Sequence, residues 1–344
     1  MVGKNVGGAN VGGVPGKAPV TDSPVVLGID FGGTKIAMAV CEPDGELCAS
    51  TIVASGGELG ARASFDRGVQ SARELLASAA PGRTLAAVGV STFGIPFDDR
   101  VELAPNIDGW ADLPLGHELR AAFPGAAVRM ATDAKAAAHA EARWGALADC
   151  DPAIYLNLGT GLSAAIVVGG KVLNGSSSAA GEIGYSLRSI ADVGVPLSAR
   201  TTLEDMISGQ SLARRAASHA PGGQPMEAGE VFEASRDAPE LDQLVTDFVA
   251  ELSYHVVNLA IFLDPMRIAV GGGMVRSWDR LQPGLQDALS AGVPFPPELV
   301  IARFPSDAPL IGAVVLALDA AGAPDVDGAH VSFPAISLSE GLPL

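Results

Sequence analysis

The sequence predicts an α/β protein of two related domains with a cleft between them. Two stretches rhyme: LGIDFGGTKIAMAV at Leu27–Val40 and LNLGTGLSAAIVV at Leu156–Val168. Each reads as an apolar strand, a Gly/Thr turn and a second apolar strand. Each is followed by the same rhythm of helix, strand and helix, which implies a structural repeat with weak sequence identity. Glycines in both turns expose backbone N–H groups and let a phosphate approach closely.

The elements follow in order. Val25–Ala54 reads as three strands, with Pro43-Asp44-Gly45 as the turn between the second and third. Phe65–Ala80 has the spacing of an amphipathic helix, Leu85–Ser91 is a buried strand ending at Thr92-Phe93-Gly94, and Leu115–Phe123 is a short helix. Ala126–Ala131 is a strand, and Thr132–Trp144 an Ala-rich helix that opens with an acid. The second half starts with strands at Ala153–Leu158, Leu162–Val168 and Lys171–Leu173. Helices are expected at Leu203–His219 and Leu241–Leu263, then a strand at Arg267–Val270 running into Gly271-Gly272-Gly273. A helix from Ser277, a strand at Leu299–Ala302 and a small-residue helix at Leu310–Ala320 complete the pattern. The boundaries predicted are a flexible tail over 1–24, a small domain over 25–131 plus about 307–322, a large domain over 132–306, and a C-terminal tail over 323–344.

Composition narrows the function classes. A chain of 344 residues with 48% hydrophobic content can bury a sizeable core. The net charge of −17 argues against a nucleic-acid surface. No apolar run approaches the roughly 18 residues of a membrane span, and the Gly/Val/Pro-rich start lacks the pattern of a signal peptide. Cys41, Cys48 and Cys150 are scattered and odd in number, which points to buried, reduced thiols in a cytoplasmic protein. None of the five histidines sits near a cysteine, so no zinc site built on those residues is expected.

The sharpest motif is Asp30-Phe31-Gly32-Gly33-Thr34-Lys35. Gly32 and Gly33 permit a turn around a phosphate, Thr34 and Lys35 can donate to it, and Asp30 can hold Mg²⁺ through water. An ordinary hairpin turn is the competing interpretation. Leu158-Gly159-Thr160-Gly161 is a weaker signal that gains from the first. Gly271, Gly272 and Gly273 could form a flat wall against an adenine ring, or simply a crowded strand-to-helix turn. Asp133 opens a helix after a strand, where an acid is ordinarily a cap. At a domain junction it could instead accept a hydroxyl proton during phosphoryl transfer. Glu182 and Glu204 offer carboxylates suited to sugar hydroxyls, though alone they are surface acids.

Together these residues resemble the ROK family (repressor, open reading frame, kinase), within the sugar kinase, heat-shock and actin superfamily. The resemblance runs from about Val25 to Ala320. Its ordered blocks are Asp30–Lys35, Ala104–Trp110, Asp133 with Glu141, Leu158–Gly161, Gly181-Glu182-Ile183-Gly184, Leu203-Glu204, Leu263-Asp264-Pro265, Gly271–Gly273 and Ile311-Gly312-Ala313. It implies a two-domain actin-like ATPase (ribonuclease H-like) fold with an interdomain cleft. It further implies ATP- and Mg²⁺-dependent phosphorylation of a hexose or aminohexose, most often at O6, by a cytoplasmic protein that is typically a homodimer. Asp133 falls on the family's catalytic base, and Gly94, Asn106, Glu182 and Glu204 on positions lining the sugar. Gly32–Thr34, Thr160-Gly161 and Gly271–Gly273 fall on the nucleotide side.

Three departures concentrate in the sugar shell. Thr132 stands where the family usually has Asn, and Tyr185 where it has a His that contacts sugar and often ligates zinc. Ser186–Thr202 contains no cysteine, so the family's zinc knuckle is absent and no structural zinc is expected. That loop is expected to be held by packing around Ile190, Val193, Val195 and Leu197. An acidic shell without the His points to an amino sugar, with kanosamine, a substrate of family members in antibiotic biosynthesis, as the example. A sugar sensor without catalysis is the alternative from another class. The family's repressors carry an N-terminal helix-turn-helix, for which the 24 glycine-rich residues before the first strand are too few.

Overall fold

A computed structural model describes residues 23–104, 106–218 and 226–323. The two predicted tails fall almost wholly outside the described residues. The described chain forms two compact units. One comprises the residues up to Ala136 and those from Pro309, the other Ala137–Ala308.

The first unit contains strands β1 (Val25–Phe31), β2 (Lys35–Cys41) and β3 (Leu47–Ala54), then helix α1 (Ala61–Ala79) and strand β4 (Leu85–Thr92). A small hairpin of β5 (Ile95–Pro96) and β6 (Val101–Glu102), not expected from the sequence, leads to α2 (Leu115–Ala122), β7 (Ala127–Thr132) and the start of α3 (Asp133–Trp144). The second unit contains β8 (Ala153–Leu158), β9 (Leu162–Val168), β10 (Lys171–Val172), α4 (Gly209–Ala216), α5 (Ala228–Ala234) and α6 (Pro239–Leu263). It continues through β11 (Arg267–Gly271), α7 (Trp278–Gly292) and β12 (Glu298–Ile301). The last helix, α8 (Ala308–Ala320), belongs almost entirely to the first unit.

The repeat read from the sequence is a repeat of topology. The first sheet has the order β3-β2-β1-β4-β7 and the second β10-β9-β8-β11-β12. In each, the first strand pairs antiparallel with the second and parallel with the strand that returns after a crossover. The parallel strands are almost wholly apolar because helices cover them. Val25, Leu27, Ile29, Phe31, Val88 and Val90 are buried in one core; Ile154, Leu156, Leu158, Ile268 and Val270 in the other.

Helix α8 lies directly on the first sheet. A Cβ added to Gly89 would stand 1.8 Å from the Ala313 carbonyl oxygen. Glycine at that position lets backbone meet backbone, with no room for any side chain.

Several sequence expectations shift. Leu203–His219 is not one helix: α4 begins only at Gly209, where Ser208 and Ser211 form a capping box, and His219 lies outside the described residues. Leu203 and Ile207 are buried in the core but lie on the bends before that cap. Helix α6, expected over Leu241–Leu263, runs from Pro239 to Leu263. Its 25 residues are apolar enough to cross a membrane by length and composition, with 44% of the critical window buried. Its stripe of Leu241, Leu244, Val245, Phe248, Leu252 and Val256 packs in the second unit's core. Cys41 and Cys150 are buried free thiols, whereas Cys48 is only half-buried.

The zinc-free loop departs furthest. Its apolar side chains do not pack: Ile190 is 88% and Val193 61% exposed, and Val195 and Leu197 are exposed too. Polar bonds hold the loop instead. Asp192 Oδ2 accepts the N–H groups of Arg188 (2.7 Å) and Ser189 (3.1 Å). The Arg188 guanidinium pairs with Glu251 on α6, and Arg200 Nη2 donates to the Tyr185 carbonyl at 2.7 Å. Two single-turn 3₁₀ segments, Ile190–Asp192 and Leu197–Ala199, are too short to present a continuous apolar face inward.

Candidate active site

In the first unit the candidate residues gather at one edge of the sheet. The parallel register aligns Phe31 with Thr92 and Thr92 with Thr132, so β1, β4 and β7 end level with one another. The Gly32–Thr34 turn, Gly94 and Asp133 all follow directly from those ends. The carboxyl ends of parallel strands are where open α/β sheets place their ligands.

The turn between β1 and β2 has its carbonyls tied back, an arrangement that can face an anion. Gly33 and Thr34 are exposed. The Gly33 carbonyl accepts the Ser55 hydroxyl at 2.7 Å, and the Thr34 carbonyl accepts the Ser55 N–H at 2.9 Å. One buried serine thus ties back both carbonyls that would repel a phosphate. Gly32 N–H bonds the Lys35 carbonyl at 2.9 Å, and Lys35 opens β2 half-buried. Asn106 stands beside Gly33 and is exposed. Sequence reading missed Ser55, since a serine after a strand carries no local signal.

Asp30 is half-buried at the end of β1, where its Oδ1 accepts the Ser91 hydroxyl at 2.7 Å. Among the described residues no group of three or more His, Cys, Asp or Glu side chains could hold a metal ion. A single carboxylate next to a glycine turn can suit Mg²⁺, which keeps most of its waters and takes few carboxylates.

Asp133 is the first residue of α3 and is half-buried; its Oδ1 accepts the Ala134 N–H at 2.7 Å. The preceding Thr132 is buried, and its hydroxyl oxygen accepts the Lys135 N–H at 3.4 Å, so it acts as a cap for the helix. Gly94 has φ +75° and lies against the Glu102 carbonyl.

The second unit repeats the device by different means. All three carbonyls of the β8–β9 turn are engaged. Gly159 oxygen accepts Gly209 N–H (2.8 Å), Thr160 oxygen accepts Gln210 N–H (3.3 Å), and Gly161 oxygen accepts Gly159 N–H (3.1 Å). The first N–H groups of α4 thus do here what Ser55 does in the first unit. With Gly159 N–H also engaged, the N–H groups of Thr160 and Gly161 are the ones that could meet an anion. Gly271 ends β11 opposite Asn157 of β8, which brings Gly271–Gly273 against this turn. Gly272 takes φ +89°, and a Cβ there would stand 2.4 Å from the Leu158 carbonyl oxygen. Gly273 is exposed.

Glu204 sits beside the same turn, and Glu182 lies in the segment bonded to β9 through Gly181. Glu182, half-buried, precedes a 3₁₀ turn over Ile183–Tyr185. Glu204 Oε2 accepts the Leu162 N–H at 2.7 Å, and its own N–H donates to the Gly184 carbonyl at 3.1 Å. Glu204 is exposed as a residue, yet desolvation where its carboxyl packs by the turn raises it above the usual range; the Leu162 N–H opposes this and nearby Asp205 reinforces it. Tyr185 is half-buried, and burial raises its phenol above the ordinary value, with Glu204, Glu182 and Asp205 pushing the same way. The phenol therefore stays protonated at neutral pH, in a negative local field.

Glu141 belongs to the sequence pattern, but its role is visible only in three dimensions. It is fully buried, with Oε2 accepting N–H groups of Ala146 (2.6 Å) and Arg303 (3.1 Å) and Oε1 that of Phe304 (2.8 Å). It secures the end of α3 to the segment after β12. Burial raises its carboxyl above the ordinary range, against the pull of those three bonds.

A family model described as ROK family matches residues 26–320. The bifunctional enzyme NanE/NanK of Brucella melitensis is 30% identical over 306 residues, covering 86% of this chain but 54% of that enzyme. The chain therefore spans about half the length of that relative. A kanosamine kinase of Amycolatopsis mediterranei is 30% identical over 272 residues, 78% of this chain and 86% of that kinase. Among solved structures, a ROK family glucokinase from Streptomyces griseus in complex with glucose and AMPPNP superposes with a TM-score of 0.67 at 28% identity, covering 84% of this chain and 98% of that one.

Proposed function

This chain belongs to the ROK family and has the actin-like ATPase (ribonuclease H-like) fold of its sugar kinases, and we propose that it transfers the γ-phosphoryl group of ATP to the 6-hydroxyl of a hexose or aminohexose. The observation that carries the proposal is Asp133, held by the Ala134 N–H at the sheet edge where the Gly32–Thr34 turn also ends. Related kinases named for glucose and kanosamine support the class.

Asp133 is the general base. It accepts the proton of the sugar hydroxyl as that oxygen bonds to the γ-phosphorus and the bridging oxygen to ADP departs. Gly32, Gly33, Thr34 and Lys35 bind phosphate in the first unit, and Thr160 and Gly161 in the second. Gly271–Gly273 form the wall for the adenine. Asp30 is the residue that would hold Mg²⁺ through water, and the ion when bound neutralises charge on the phosphates. Gly94, Asn106 and Thr132 in the first unit, and Glu182, Tyr185 and Glu204 in the second, are the candidates for contact with the acceptor.

The field at Tyr185 favours an amino sugar. Three carboxylates act on its phenol, and an ammonium gains from such neighbours where water is partly excluded. A coupled ATP-consumption screen over glucose, mannose, fructose, N-acetylated hexosamines, glucosamine and kanosamine tests both levels. Aminohexose turnover above glucose is expected; glucose turned over equally well or better removes the amino-sugar reading. Sugar binding with no ATP consumption on any member would make the protein a sensor.

A further inference from the structure

Glu204 makes a second set of contacts that a sugar ligand does not require. Its Oε2 accepts the Leu162 N–H at 2.7 Å, at the point where the β8–β9 turn enters β9. Its backbone N–H donates to Gly184, the last glycine of the Gly181-Glu182-Ile183-Gly184 segment. The turn is close enough that a Cβ on Gly161 would stand 2.5 Å from Oε2, and one on Gly184 would stand 3.1 Å from the Glu204 Cβ. The same segment is sewn to β9 by Ala164 N–H, which donates to the Gly181 carbonyl at 2.8 Å.

We infer that Glu204 is a positioning residue for the nucleotide-side turn Gly159–Gly161, with one carboxylate oxygen committed to that turn and the other left to the acceptor side. The functional meaning rests on the kinase reading; the strut itself does not. A carboxylate accepting a backbone N–H makes one of the stronger kinds of hydrogen bond. The α4 N-terminus holds the turn's carbonyls from one side, and Glu204 holds the return strand from the other. A side chain at 161 would have to displace that carboxylate, so glycine there leaves the bond to Leu162 in place. One residue thus joins the segment carrying Glu182 and Tyr185 to the turn that grips phosphate, so acceptor binding and nucleotide binding are coupled and the coupling is reciprocal.

The test compares wild type with Glu204→Gln, Glu204→Ala, Gly161→Ala and the Gly161→Ala/Glu204→Ala double variant. Amide exchange over residues 158–163 is measured without ligand, and AMPPNP affinity is measured without sugar. Glu204→Ala should speed exchange at Leu162 and weaken AMPPNP about tenfold, the loss expected for a bond to a charged group. Glu204→Gln keeps an oxygen acceptor but loses its charge, so both readings should fall between those of wild type and Glu204→Ala while sugar affinity falls. Gly161→Ala should cost less in the Glu204→Ala background than in wild type, because the two act on one contact. Exchange elsewhere in β8 and β9 reports whether each variant is folded. The inference is overturned if Glu204→Ala loses only sugar affinity, with Leu162 protection and AMPPNP binding at the wild-type level. Wild-type protein that fails to bind AMPPNP would instead sink the kinase reading, and the exchange arm would still decide the strut.

Discussion

Replacing Ser55 with alanine removes one support of the β1–β2 turn, proposed above to bind phosphate, and leaves another in place. Ser55 is 1% exposed, so its hydroxyl has no water to fall back on. The substitution deletes the bond from its hydroxyl to the Gly33 carbonyl (2.7 Å) and the bond its oxygen accepts from Gly57 N–H (3.3 Å). The bond from Ser55 N–H to the Thr34 carbonyl is made by backbone and survives. The first lost bond is short, and the second is long and correspondingly weak. Gly33 is exposed, so water can replace the lost donor on its carbonyl, which holds the total near the value of one ordinary buried hydrogen bond, about 1–1.5 kcal/mol. That corresponds to a rise of about five- to tenfold in the KM for ATP if the whole loss falls on the turn. The freed Gly33 carbonyl would turn its negative end towards the phosphates. The assay is steady-state kinetics with ATP varied at saturating sugar, then the reverse, alongside urea unfolding. The expected result is a raised KM for ATP, with kcat and sugar KM within about twofold. Loss of stability with an unchanged KM for ATP would refute the reasoning and make Ser55 a packing residue.

Asp133→Asn should lower kcat by about 10²–10⁴ while sugar affinity is retained, as read by calorimetry beside turnover; full activity would remove Asp133 as base. Glu141 gives a pH prediction. Its folded carboxyl is raised by burial, so the folded state binds its proton more tightly than the unfolded state. The stability it contributes is fully present below the ordinary glutamate value and is lost as pH rises through the folded value. Urea midpoints measured upward from pH 4 should therefore fall more for wild type than for Glu141→Gln, and parallel curves would refute the assignment. For the zinc-free loop, Glu251→Ala should raise amide exchange across residues 187–200 by a fewfold, since the Arg188 pair is only partly buried and worth about 1 kcal/mol. Equal exchange in both proteins would show that the Asp192 bonds suffice.

Much of this protein is legible in its sequence because its signals are local. Strand alternation, glycine turns and helix periodicity depend on neighbours a few residues away, and they place both sheets and both turns. The place of Asp133 in the fold, between a strand and a helix, was legible for the same reason. Helix α4 was misjudged because Leu203 and Ile207 supply apolar spacing, while the Ser208/Ser211 cap decides where the helix begins.

What only the tertiary structure decided is which groups each turn turns away from its ligand. Ser55 reaches the β1–β2 turn from the far end of β3, and the α4 N-terminus and Glu204 reach the β8–β9 turn from some 40–50 residues downstream. Hydrogen bonds of that kind leave no periodicity, since a serine or a glutamate looks the same whether or not a carbonyl or an N–H waits across the fold. The same holds for the loop after Tyr185. Its sequence lists apolar residues that could have formed a small core, but short turns point them outward, and Arg188, Asp192 and Arg200 hold it by bonds whose partners only the folded chain supplies.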